Sequence, residues 1–148
     1  MRHLLVLLSL GLVTSHALAL GPIPEGTYRG AATCTDTHGQ ATTENDQTVV
    51  IGKDTLQWAN TIKECTSTSP GFYKVRHYTL TKGEKVLSGL GTAYETAGGM
   101  HFKMVIDIGP VVLEGEDTFA YHDGHLVLIS SVHGQRCEAD YVKAPGKR

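Results

Sequence analysis

Turn signals recur along the chain at short, nearly even intervals: His38-Gly39, Gly52-Lys53-Asp54, Pro70-Gly71, Lys82-Gly83, Gly98-Gly99, Gly109-Pro110, Asp123-Gly124 and His133-Gly134. Gly, Pro and Asp at such places supply or tolerate backbone angles that other residues avoid, so each marks a chain reversal. The intervening runs, of about 8 to 12 residues, are rich in Thr, Val, Ile and aromatics, the spacing of an all-β sandwich or barrel. They predict nine strands, at about 27–35, 40–51, 55–66, 72–80, 85–95, 100–108, 111–121, 125–132 and 135–143. Short turns join neighbours as antiparallel hairpins, so the expected architecture is an antiparallel meander of about eight to ten strands. Beyond the first twenty residues no window carries the apolar i, i+3, i+4, i+7 stripe of a helix.

The beginning of the chain reads differently. Met1-Arg2-His3 is basic, Leu4 to Val13 is an apolar run, and Ala17-Leu18-Ala19 meets the small-x-small rule of signal peptidase. Residues 1–19 are therefore expected to be a signal peptide, and residues 20–148 a single β-barrel domain in a secreted or periplasmic setting. The apolar run is shorter than the ~18 residues that cross a bilayer, so no membrane span is expected. Without Arg2, 12 of the 13 basic residues remain against 15 acidic ones, a net charge of −3. That balance creates no field for a polyanion, and nucleic acid is not an expected partner.

Side-chain alternation along a strand assigns the faces. Met100, Phe102, Met104, Ile106 and Ile108 share one face, opposite His101, Lys103 and Asp107, and the first set is the interior one. Leu56, Trp58 and Ile62 point inward by the same logic, with Asn60 among them. Tyr73, Val75 and His77 oppose Lys74 and Arg76, which makes His77 interior. On the first strand the inward set is Tyr28, Gly30, Ala32 and Cys34, small enough to let a sheet bend or to leave space.

The three cysteines of the exported part, Cys34, Cys65 and Cys137, suit an oxidising compartment that pairs two and leaves one. In a nine-strand count Cys34 and Cys65 lie on strands one and three, which run in the same direction and share an end. Strand parity therefore favours a Cys34–Cys65 disulfide, although alternation turns Cys65 outward; Cys137 opens the last strand and falls at the opposite end. His122-Asp123-Gly124-His125 places two imidazoles across a hairpin, but no third ligand stands out, and neither a metal nor a cofactor is expected. Glu114 and Glu116 share a face and Asp117 takes the other, which scatters them relative to a paired-carboxylate site. The chain lacks a G-x-S-x-G elbow, a G-x-G-x-x-G loop and an H-E-x-x-H helix.

Gly26-Thr27-Tyr28 opens the first strand, and Arg136 stands near the start of the last. In this the chain resembles the lipocalins and the wider calycin superfamily, where Gly-x-Trp opens the first strand and a late arginine packs over the tryptophan. Tyrosine replaces that tryptophan here, the T-D-Y signature is absent, and no helix follows the barrel. The resemblance implies a lipocalin-like barrel, with Tyr28 and Arg136 at one end and a small-molecule cavity inside. The expected function is an exported, non-catalytic barrel that binds a small apolar or amphipathic ligand. Tyr28, Trp58, Asn60, Tyr73, His77, Phe102 and Met104 are the expected lining residues. The alternatives are a protein-interaction or inhibitor module of the cell envelope or extracellular space, and an enzyme of unrecognised type.

Overall fold

A computed structural model describes residues 18–107 and 109–146. The expected leader lies outside them up to residue 17, as does the inward position foreseen for Ile108. Two short strands, β1 (Leu18–Leu20) and β2 (Ile23–Pro24), pair with each other ahead of the main sheet. Ten further strands follow: β3 (Gly26–Thr35), β4 (Ala41–Ile51), β5 (Thr55–Trp58), β6 (Thr61–Ser69), β7 (Phe72–Thr81), β8 (Glu84–Thr96), β9 (Gly99–Asp107), β10 (Val112–His122), β11 (His125–Val132) and β12 (Gln135–Lys143). Each pairs antiparallel with the next, and β12 pairs antiparallel with β3 to close the barrel. This closed meander is consistent with a calycin-like barrel, and no described helix is long and apolar enough to cross a membrane.

Most of the expected turns are present. Lys82-Gly83, Asp123-Gly124 and His133-Gly134 have positive φ at both central residues, the type I′ geometry whose twist matches that of the flanking strands. The strand expected over 55–66 is two strands, which corrects the count from nine to ten. A two-residue turn at Ala59-Asn60 makes Trp58 face Thr61 directly, with Ala59 in the left-handed region at φ 51°. Ala is a poor resident of that region because its Cβ crowds the backbone, so Asn60 alone marks the turn in the sequence. Tertiary bonds hold the turn: Thr61 Oγ1 donates to the Trp58 carbonyl at 2.8 Å, and the Leu80 amide donates to the Asn60 carbonyl at 2.7 Å.

This one turn changes several assignments. Every strand after it runs opposite to the nine-strand expectation, and an even-numbered meander brings its first and last strands together antiparallel. Cys137 thus lies directly opposite Cys34, and the disulfide is Cys34–Cys137, not Cys34–Cys65. Cys65 is free and buried, turned inward with Thr61 and Lys63, while Ile62 leaves the inner face. A slip of one residue exchanges the two faces of a strand, and the turn has that effect on β6. Asn60 is exposed in the turn and does not line the interior. Arg136 faces Thr35, at the opposite end of β3 from Tyr28. The cation over the Tyr28 ring is Lys143 of β12, with Nζ 6.0 Å from the ring centroid.

The core occupies the end where β3 begins. Tyr28, Tyr141, Phe102, Phe119, Leu126, Leu128 and Met100 are fully buried there, with Phe102 and Phe119 edge to face at 5.9 Å. Leu20 and Ile23 are also fully buried, and Gly21 lies against Glu95 and Met100, so the segment leading into β3 covers this end. Tyr28 ties it down by donating its hydroxyl proton to the Pro24 carbonyl at 2.9 Å. On the inner face of β8 are Gly89, Gly91 and Ala93; a Cβ at Gly89 would collide with the Val105 carbonyl, so β8 and β9 approach too closely there for any side chain.

Candidate functional site

The half of the barrel towards the ends of β3 and β7 is only partly filled. A cavity of about 200 Å³ lies there, walled by Trp58 and Thr61 across the β5–β6 turn, and by Met104, Ile106 and Gly115 on β9 and β10. Ser130 and Val132 of β11 form the opposite side, and Lys63, His77 and Asp117 lie among them. Trp58, Thr61, Ile106 and Val132 are half-buried, whereas Lys63, Asp117, Ser130 and Met104 are buried. The cavity is therefore open towards this end and closed beneath by the packed aromatics. The wall is also incomplete: β5 pairs only with Val49, Val50 and Ile51 of β4, leaving the earlier part of β4 without a partner on that side.

Lys63 and Asp117 are the central polar feature. Nζ of Lys63 lies 2.8 Å from Oδ2 of Asp117, and the two side chains are 3% and 9% exposed. Lys63 reaches this position because the Ala59-Asn60 turn carries it inward; Asp117 reaches it by simple alternation between Gly115 and Phe119. An ammonium and a carboxylate removed from water are tolerable only together, since each loses several kcal/mol of hydration. The ammonium also sits 5.8 Å from the Phe102 ring centroid, a cation–π contact.

His77 stands directly across from Lys63 in the β6–β7 register. Its side chain is interior, and its buried Nδ1 has no hydrogen-bond partner. Burial, reinforced by the positive charge of Lys63 and opposed by Asp117, pushes the imidazole pKa down to about 4. His77 is therefore neutral at pH 7, and the folded state binds fewer protons than the unfolded chain between about pH 4 and 6.5. Its contribution to stability is complete above about pH 6.5 and is lost as the pH falls towards 4, by at most about 3 kcal/mol. Urea titrations from pH 8 to 4 should show that loss in the native protein and a flatter profile in His77→Phe; an unchanged profile would remove His77 as its source.

Trp58 is held by its edge. Its Nε1 donates to Oε1 of Gln47 at 2.9 Å, and the Tyr141 hydroxyl donates to the same oxygen at 3.0 Å. Of the expected lining residues, Trp58, His77 and Met104 meet at the cavity. Tyr28 and Phe102 belong to the core, Asn60 to the exposed turn, and Tyr73 to the far end, where its hydroxyl donates to Glu95 at 2.6 Å. Lys63, Asp117 and Ser130 were missed. Asp117 was detectable as the one carboxylate sharing a face with Gly115 and Phe119, whereas Lys63 was hidden until the preceding turn was known.

Burial pushes the Cys65 thiol up to about 12, well away from a nucleophilic thiolate. Among the described residues no hydrogen bond joins Ser130 to His77, and no group of three His, Cys, Asp or Glu side chains is placed to hold a metal ion. His122 and His125 do face each other across their hairpin, with rings 6.2 Å apart, but Nδ1 of His125 is engaged by Asp140 at 2.8 Å. Comparison with protein-family models, curated proteins and solved structures finds no match to any of them.

Proposed function

We propose that this chain is an exported, non-catalytic barrel that binds a small apolar or amphipathic molecule in the cavity beside Trp58. The observation that carries this reading is an open, mostly apolar cavity in which a few polar groups converge, the usual construction of a small-molecule site. The Cys34–Cys137 disulfide suits the oxidising compartment that export implies. Gly115 contributes to the space, since its missing side chain would project against Val132 at 3.0 Å. Native mass spectrometry of the exported protein should detect a co-purified small molecule, and Gly115→Leu should abolish it. A wild-type protein that carries nothing, and whose Trp58 emission ignores every apolar probe, would make the cavity a packing void.

A second reading rests on the outer wall. Leu87 and Leu90 flank a bulge in β8, Val105 pairs with Leu90, and all three are about half exposed. An apolar strip of this kind suits a protein partner, and concentration-dependent sedimentation would reveal self-association through it.

A further inference from the structure

We propose that the molecule bound in the cavity is electrically neutral and carries one hydroxyl group, of the alkylphenol or alcohol type, with that hydroxyl placed against Lys63 and Asp117. The inference rests on the cavity-binding reading and narrows it to a ligand class.

Three features of the site lead to this chemistry. The first is charge. Lys63 and Asp117 neutralise each other at 2.8 Å inside the barrel, so an ionic ligand would add a charge with no counterpart. Moving an uncompensated ion into such surroundings costs several kcal/mol, which disfavours carboxylates and amines alike. The second is the set of hydrogen-bonding groups left over. One ammonium proton of Lys63 is taken by Asp117, leaving two donors, while the carboxylate keeps free lone pairs; the unpartnered Nδ1 of His77 is sealed away from the cavity and takes no part. A hydroxyl both accepts and donates, so its oxygen accepts from Lys63 and its proton goes to the carboxylate of Asp117. A ketone would satisfy only the donor, and a hydrocarbon neither. The third is the rest of the wall. Trp58, Met104, Ile106 and Val132 present an aromatic ring, a polarisable thioether and branched alkyl groups, which suit an apolar body. The cavity of about 200 Å³ has room for roughly seven waters, or for a molecule of about ten heavy atoms.

Calorimetry on the full chain with its disulfide intact, at pH 7, tests this with a series of similar size: 4-propylphenol, propylbenzene, 4-propylbenzoate and 4-propylbenzylamine. The phenol is expected to bind at least tenfold more tightly than each of the other three. In the double variant Lys63→Met/Asp117→Leu the phenol should lose that preference over propylbenzene, while propylbenzene binds as well as before or better. Should this variant not fold, the wild-type series still decides. Equal affinity for phenol and propylbenzene would overturn the hydroxyl assignment and leave cavity binding intact. Tightest binding of the benzoate or the amine would overturn neutrality. Failure of all four probes to bind would overturn both this inference and the reading beneath it.

Discussion

Lys63→Met is expected to lower the unfolding free energy by about 3–5 kcal/mol, among the largest effects any single substitution here should have. The methionine fills nearly the same volume, so the loss does not come from packing. It comes from Asp117, left buried and 9% exposed with its counter-charge gone. Asp117→Leu should be damaging for the mirror reason, because the Lys63 ammonium is then stranded beside a neutral His77. The double variant Lys63→Met/Asp117→Leu should recover most of the stability, since an apolar pair of similar size needs no hydration. Urea midpoints of the four proteins form a double-mutant cycle with a coupling energy of several kcal/mol. Two single losses that simply add would mean that the residues do not interact as the 2.8 Å contact requires.

The second large effect concerns the disulfide. Cys34 and Cys137 are 103 residues apart in sequence, so their bond closes nearly the whole barrel into one loop. In the chain-entropy model a loop of this length contributes about 4–5 kcal/mol by restricting the unfolded chain. Replacing both cysteines by serine should therefore cost a large part of the total stability of a domain this size. Peptide mapping without reduction should recover Cys34 joined to Cys137, with Cys65 alkylated only after denaturation. A Cys34–Cys65 peptide would instead overturn the pairing of β3 with β12, and with it the closure of the barrel. The disulfide lies on the inner face beside Ser130, which lines the cavity, so its removal should also loosen the cavity.

Much of this was legible from residue order alone. Glycine-bearing turns and alternating strands are local properties: a type I′ turn needs positive φ, glycine supplies it, and alternation follows from the pleat. The all-β meander, the inward faces of β3, β7 and β9, and the interior placement of His77 therefore required no knowledge of distant contacts. The Ala59-Asn60 turn was different. Asn60 suits a turn, but a lone Asn after Ala59 is a weak signal; contacts from β7 and from Thr61 hold alanine in a conformation it would otherwise avoid. Strand direction and strand face are both parities, so one unrecognised reversal inverts every later direction and the facing of the next strand. The tertiary structure alone thus decided that Lys63 points inward to meet Asp117, that Cys137 rather than Cys65 reaches Cys34, and that Lys143 rather than Arg136 covers Tyr28. Pattern along the chain determines what each strand looks like; only closure of the barrel determines which strands, and which charges, meet across it.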